Sequence, residues 1–195
     1  MLDILQSQGR EVTAFVDDHS AELGGSIHGV PVYPAANVLN NWPMSSEWVV
    51  AIGDNAVRQR LAKKLATRGC RFTMAVHPSA QIGLGVKIAP GTVIMANAVI
   101  NADTQIGHHV IINTGAIIDH DCCVGDYCHV APGCSVCGNV TLGSCVMLGV
   151  GSCICPGITI GDETCCGAGS VIVKSLPARC VAYGCPAKIV RSQAG

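Results

Sequence analysis

The sequence predicts a mainly β protein, in which a solenoid of short stacked strands follows a small α/β domain. An aliphatic residue recurs at every sixth position from Val76 to Ile172, and only Cys166 interrupts the series. Four residues after each aliphatic position stands a second, mostly small residue, such as Ala98 or Cys134. A period of six fits neither a helix nor a hairpin. It suits short strands joined by tight turns, which stack like residues into a continuous core.

Glycine and asparagine stand where these turns would lie. We expect Asn97, Asn101, Asn113 and Asn139 to take the positive φ that such corners need, as glycine does readily. A β-sandwich does not explain the pattern, because its strands and loops vary in length.

Composition excludes several classes of function. The chain has 195 residues, of which 13% are charged and 4% aromatic, which suits an aliphatic solenoid partly covered by other copies. A net charge of −1 does not indicate the basic surface that nucleic-acid binding requires. No continuous apolar segment approaches the roughly 18 residues of a membrane span. No signal peptide is recognisable, so we expect a cytoplasmic protein.

Thirteen cysteines in such a chain indicate free thiols in a reducing compartment. Cys122, Cys128 and Cys134 fall in the small inward series. Cys134 and Cys137 form a Cys-x-x-Cys pattern, but their positions in the repeat differ, so we expect their side chains to diverge. We therefore predict no metal site.

Residues 1–75 have the pattern of an α/β domain. We predict a helix over 2–8, a short strand over 12–16, a buried strand over 48–52 and a helix over 56–68 with Leu61 and Leu65 inward. The segment Gly53-Asp54-Asn55 joins the last two elements. A strand, a glycine turn and a helix make half of a nucleotide-binding unit, with the helix N-terminus available to an anion. The alternative is a cap that only supports the solenoid.

The aliphatic-Gly sextets resemble the hexapeptide repeat of the left-handed parallel β-helix acyltransferases, which implies three sextets per triangular coil and five to six coils. Residues 15–18, 29–32 and 51–55 resemble the nucleotide-sugar-binding domain of bacterial sugar acetyltransferases, the family of sialic acid O-acetyltransferases and UDP-N-acetylbacillosamine N-acetyltransferases. Family members start with a strand that this chain lacks, so we expect a Rossmann-like domain with its first strand missing. The expected domains are 1–75, 76–173 and a tail over 174–195.

The segment from Asn113 to His129 contains the residues for chemistry. Transfer of an acetyl group from a thioester to an amine or hydroxyl needs a base with a pKa near neutrality, and a histidine held by a carboxylate supplies one. His120 lies between Asp119 and Asp121 and matches the family motif. The resemblance implies that His120 is the general base, that Asp121 orients it, and that His129 contacts the thioester or the pantetheine.

The resemblance also implies binding residues and a homotrimer with the donor between neighbouring copies. Residues 184–188 are similar to the family's C-terminal segment near coenzyme A. The expected residues for acetyl-CoA are His129, Gly149, Gly167, Ala168, Lys188 and Arg191, and those for the acceptor are Asp17, Asp18, Gly53, Asn55 and Asn113.

The predicted function is acetyl-CoA-dependent acetylation of a UDP-4-amino sugar in glycan biosynthesis, with sialic acid O-acetylation as an alternative. Zinc carbonic anhydrases share this solenoid, but they need three converging histidines. In that family two of these lie five residues apart, whereas the fifth residue after His120 is Gly125. A non-catalytic solenoid that binds a sugar nucleotide is the third possibility.

Overall fold

The structure, a computed structural model, describes residues 1–18, 25–36, 38, 43 and 46–192. Its main body is a parallel β-helix of seventeen two-residue strands at six-residue spacing, which makes five complete coils and two further strands. The strands in chain order are β6 (Ala75–Val76), β7 (Gln81–Ile82), β8 (Lys87–Ile88), β9 (Val93–Ile94), β10 (Val99–Ile100), β11 (Gln105–Ile106), β12 (Ile111–Ile112), β13 (Ile117–Ile118), β14 (Cys123–Val124), β15 (His129–Val130), β16 (Ser135–Val136), β17 (Thr141–Leu142), β18 (Met147–Leu148), β19 (Cys153–Ile154), β20 (Thr159–Ile160), β21 (Cys165–Cys166) and β22 (Val171–Ile172).

Two smaller regions flank the β-helix. The N-terminal region contains α1 (Leu2–Ser7), β1 (Phe15–Val16), β2 (Ser26–Ile27), β3 (Val30–Tyr33), β4 (Glu47–Trp48), α2 (Asn55–Ala66) and β5 (Arg71–Phe72). Strand β3 pairs in parallel with β1 and antiparallel with β2, while β4 and β5 form a separate parallel pair. The C-terminal hairpin consists of β23 (Cys180–Gly184) and β24 (Ala187–Ser192), and β23 continues one sheet of the β-helix. No helix within the described residues has the length and hydropathy to cross a membrane.

The aliphatic series forms the core from Ile94 onward, as predicted, whereas Ile82 near its start is 41% exposed. From Ile94 to Ile172 every sixth residue is at most 3% exposed, including Cys166. The small series is also inward, and burial raises the pKa of the Cys128 thiol to about 12, so it stays protonated. The Cys134 thiol donates a hydrogen bond to the Gly149 carbonyl inside the coil.

The corners explain the repeat length. From residue 85 to residue 169, every sixth residue has a positive φ, and glycine fills only part of this series. Asn97 and Asn139 take this conformation as predicted, whereas Asn101 and Asn113 do not. The error arose because both follow a strand directly, and their side chains make hydrogen bonds instead of supplying a turn.

Each sheet presents a face of different character. The docked face (β6, β9, β12, β15, β18 and β21) lies against the N-terminal region, and its outward residues Ala75, Val93 and Ile111 are buried. The apolar face (β7, β10, β13, β16, β19 and β22) presents Val99, Ile117 and other uncharged residues. The polar face (β8, β11, β14, β17 and β20) presents only exposed side chains: Lys87, Gln105, Cys123, Thr141 and Thr159.

The N-terminal region corrects part of the prediction. The first strand shortens to Phe15–Val16, and the strand expected over 48–52 is reduced to Glu47–Trp48. Helix α2 buries Arg58 and Ala62, while Leu61 and Leu65 are only half-buried. At the N-terminus of α2 the Asp54 carboxylate accepts the Val57 N–H at 2.8 Å and so caps the helix, while anion binding there stays a prediction.

Candidate active site

His120 lies at the corner between the apolar and the polar face, two residues after the end of β13. Its Nδ1 lies 2.8 Å from Asp121 Oδ2, and both side chains are 54% exposed. Asp121 reaches this position because it takes the positive φ of the corner. With Nδ1–H donated to the carboxylate, Nε2 carries the lone pair that a base needs. The structure thus pairs the two residues that were predicted to be catalytic.

Both aspartates that flank His120 in sequence act on it. The hydrogen bond to Asp121, followed by the charge of Asp119, raises the pKa of His120. Asp119 accepts the His120 backbone N–H at 2.9 Å and the Asn101 side-chain N–H at 2.9 Å. The Asn101 hydrogen bond lowers the pKa of Asp119, which therefore stays anionic. Backbone and ring of His120 are both held by carboxylates.

Gly138 was missed by the sequence analysis. It lies one coil beyond His120, and a Cβ on Gly138 would stand 2.7 Å from His120 Cε1 and 2.8 Å from Nε2. Only glycine leaves room for the ring in this position. An 18-residue spacing from His120, which equals one coil, is the signal that could have identified it.

Three predicted residues form a second group on the docked face. His129 Nδ1 lies 3.1 Å from the Gly53 carbonyl oxygen, and Nε2 lies 3.1 Å from Asn113 Nδ2. Burial lowers the pKa of His129, so its ring is neutral near pH 7. The structure therefore joins His129, Gly53 and Asn113.

These two groups do not meet within one chain. Asn113 lies at the corner between the docked and apolar faces, and His120 lies at the other end of the apolar face. At about 3.3 Å per residue over some six residues, the two corners are on the order of 20 Å apart. A site containing both would have to combine corners from two copies.

Helix α2 joins the N-terminal region to the β-helix through Arg58, which sequence analysis did not identify. Arg58 is 1% exposed, and its guanidinium donates to the carbonyls of His109, Tyr127 and Cys128 on the β-helix. Further bonds reach Ile52 and Gly53. Carbonyl dipoles thus replace water around a buried charge. The spacing of apolar residues that predicts the helix does not indicate which arginine on it is buried.

The predicted residue Asn55 also serves this junction. Its Nδ2 donates to the Cys145 and Val146 carbonyls, and its Oδ1 accepts from Arg58. Asp17 and Asp18 are exposed after β1, and Asp18 accepts the Ala35 N–H at 2.8 Å. A role of these three residues in binding an acceptor stays a prediction.

Apart from His129, the residues expected to bind the cofactor lie in the C-terminal coils and the C-terminal hairpin. A Cβ atom on Gly149 would stand 2.5 Å from the Ala168 backbone nitrogen, and one on Gly167 would stand 2.7 Å from Tyr183 Cβ. Coil stacking therefore requires both glycines whether or not a ligand binds. Lys188 and Arg191 are exposed on β24. Their contact with a cofactor stays a prediction, and no cluster of three metal-ligating side chains exists among the described residues.

Comparison with known proteins identifies the family. Residues 1–65 match the family described as the PglD N-terminal domain. Perosamine N-acetyltransferase from Caulobacter crescentus, solved as a histidine-to-asparagine mutant with CoA and GDP-perosamine, is 40% identical, with a TM-score of 0.92 over 98% of this chain and 90% of that one. The acetyltransferase domain of PglB from Neisseria gonorrhoeae FA1090, solved with acetyl coenzyme A, is 32% identical, with a TM-score of 0.91 over 96% and 91%.

A curated relative agrees over a shorter segment. The UDP-N-acetylbacillosamine N-acetyltransferase of Bacillus subtilis (strain 168) is 41% identical over 49 residues, which are 25% of this chain and 23% of that protein. The β-helix is thus the left-handed form of these acetyltransferases. The chain belongs to the hexapeptide-repeat sugar N-acetyltransferase family and is an acyltransferase.

Proposed function

We propose that this protein transfers the acetyl group of acetyl-CoA to the 4-amino group of a nucleotide-linked amino sugar, with His120 as general base. The observation that carries the proposal is the 2.8 Å contact between His120 Nδ1 and Asp121, which leaves Nε2 free to take a proton. The relatives solved with CoA, acetyl coenzyme A or GDP-perosamine support both substrates. The mutant relative shows that one histidine can be replaced while both ligands still bind.

The reaction needs one proton acceptor and no covalent enzyme intermediate. The sugar amine attacks the thioester carbonyl while His120 Nε2 accepts a proton from the amine nitrogen. The tetrahedral intermediate collapses, the C–S bond breaks, and the proton on His120 passes to the leaving thiolate. Asp121 stabilises the imidazolium between these steps. A base in this position contributes roughly 10²–10⁴-fold to the rate, and alignment of the two substrates supplies the remainder.

The active assembly is a homotrimer in this proposal. The apolar face carries no charged outward residue on its six strands, so turning it towards a threefold axis costs little desolvation. Each His120 corner would then meet the Asn113 corner of a neighbouring copy.

The exposed cations of β24 would bind coenzyme A. Lys188 would pair with one of its phosphates as a point charge, and Arg191 would do so as a fork with two N–H donors. The thirteen free cysteines favour a reducing compartment, the cytoplasm.

The first experiment measures thiol release from acetyl-CoA with UDP-, GDP- and dTDP-linked 4-amino sugars and with sialic acid. We expect turnover on one nucleotide-linked amine, with a loss of about 10²–10⁴-fold in His120→Ala. His108→Ala, which changes an exposed histidine on another corner, is the matched control. Full activity of His120→Ala would remove His120 from the mechanism. Turnover on sialic acid alone would favour the O-acetyltransferase.

Mixing of variants tests the trimer. Inactive His120→Ala and Asn113→Ala copies, unfolded and refolded together, should regain about a quarter of the wild-type activity, because a random assembly leaves one interface in four with both residues. Activity of a monomer, shown by light scattering at the assay concentration, would contradict the proposal.

A further inference from the structure

The orientation of the Asn113 side chain is fixed by its neighbours. Its Oδ1 accepts the Thr114 backbone N–H at 2.8 Å, and a backbone N–H can only donate. The amide nitrogen Nδ2 must therefore point the other way, towards His129 Nε2 at 3.1 Å. Since Nδ2 can only donate, Nε2 must accept.

The other ring nitrogen of His129, Nδ1, indicates the same tautomer independently. A carbonyl oxygen can only accept, so the 3.1 Å contact between His129 Nδ1 and the Gly53 oxygen requires a proton on Nδ1. A neutral imidazole with its proton on Nδ1 satisfies both contacts. An imidazolium, or the tautomer with its proton on Nε2, would turn one contact into a clash of two donors.

Gly53 is itself held in place. Its carbonyl also accepts from Arg58 Nη1 at 3.1 Å, and Arg58 is buried against the β-helix. Gly53 lies immediately before Asp54, the N-cap of α2, in the loop of the N-terminal region. An unbroken row of hydrogen bonds therefore leads from this loop across the docked face to Asn113.

We propose that His129 is a positioning residue: it orients the Asn113 side chain and couples it to Gly53, so that the N-terminal region and the acetyl-transfer corner keep one geometry. This inference deepens the proposed function and rests on it for its consequences in catalysis. This role differs from the expected contact of His129 with the thioester, since both ring nitrogens have partners within the chain. The second N–H of Asn113 is left to meet a substrate.

Two substitutions separate the ends of this connection. In His129→Asn, the amide nitrogen can occupy the place of Nδ1 and still donate to Gly53, but nothing accepts from Asn113. In His129→Gln, the longer side chain can place an oxygen near the position of Nε2, which keeps the acceptor and loses the donor to Gly53. His108→Asn is the matched control.

We expect kcat for the nucleotide sugar to fall at least about tenfold in both variants, which corresponds to about 1.4 kcal/mol, while the Kd for CoA in calorimetry stays within about threefold. Combining His129→Asn with Asn113→Ala should cost little more than Asn113→Ala alone, since both remove one interaction. A large rise in the Kd for CoA with kcat preserved would assign His129 to the cofactor and overturn the proposal.

A spectroscopic measurement decides the geometry without any substrate. Nitrogen-15 spectra of the His129 ring near pH 7.5 should show a neutral imidazole protonated at Nδ1. A proton on Nε2, or a charged ring, would overturn the proposal even if the enzyme is active. If no acceptor is acetylated, the proposed function fails, and the tautomer still decides the connection between Gly53 and Asn113.

Discussion

Replacing Gly138 by alanine tests the placement of the candidate base without touching a catalytic group. The new Cβ would stand 2.7 Å from His120 Cε1 and 2.8 Å from Nε2, about 0.7 Å closer than ordinary van der Waals contact. The φ of Gly138 is not left-handed, so the backbone accepts alanine. His120 is 54% exposed, so the ring can swing into solvent, and the contact with Asp121 is lost.

The expected result is a loss of activity with little loss of stability. Displacing a catalytic group by about 1 Å costs on the order of 10²-fold in rate, or roughly 2.7 kcal/mol in the barrier. The free energy of unfolding should change by less than about 1 kcal/mol, because the new methyl group of this buried position meets an exposed His120 ring that can move aside into solvent. Thiol release from acetyl-CoA measures the first quantity and urea denaturation the second.

Gly25→Ala is the matched control, because nothing lies within 4 Å of its Cβ position and its φ is ordinary. Wild-type kcat/KM in Gly138→Ala would show that the ring need not lie over Gly138 for the reaction. An equal loss of stability and activity would show that the glycine only supports the coil.

Three further predictions follow from the charged and titratable groups. Activity requires neutral His120 and falls below its pKa, which the Asp121 hydrogen bond raises. Asp121→Asn should therefore move the acidic limb of the kcat/KM profile to lower pH and reduce its plateau. Burial lowers the pKa of His109 to about 4, so between pH 6.5 and 4 the unfolded chain binds more protons and the free energy of unfolding falls with decreasing pH, by roughly 3 kcal/mol. His109→Asn, which tolerates the positive φ, should flatten this dependence in urea titrations. Arg58→Ala should lower the free energy of unfolding by about 3–5 kcal/mol because it leaves buried carbonyls without donors, while Arg60→Ala on the exposed side of α2 should change it by less than about 0.5 kcal/mol.

Each of these has a clear contrary result. An acidic limb that stays in place in Asp121→Asn would mean that another group controls it. A stability curve that is flat below pH 6.5 in the wild type would place His109 in water. Equal effects of Arg58→Ala and Arg60→Ala in urea denaturation would show that α2 is not docked through Arg58.

The sequence alone determined the β-helix, because the signal for it is local and repeated. One aliphatic residue per six positions predicts an inward residue in each strand, and the same spacing recurs in every coil. The pairing of His120 with Asp121 was also predictable, since adjacent residues at a corner need no knowledge of the rest of the chain. For the same reason the inward position of Cys134 followed from its place in the repeat.

Only the tertiary structure decided how the site residues are distributed. His120 and Asn113 are seven residues apart in sequence, yet the flat face between them puts them on separate corners. His129 meets Gly53 across 76 residues of chain, and Arg58 meets Tyr127 across 69. Such contacts depend on how the N-terminal region docks on the coils. This docking is set by hydrogen bonds between residues far apart in sequence, which a local pattern of residues cannot predict.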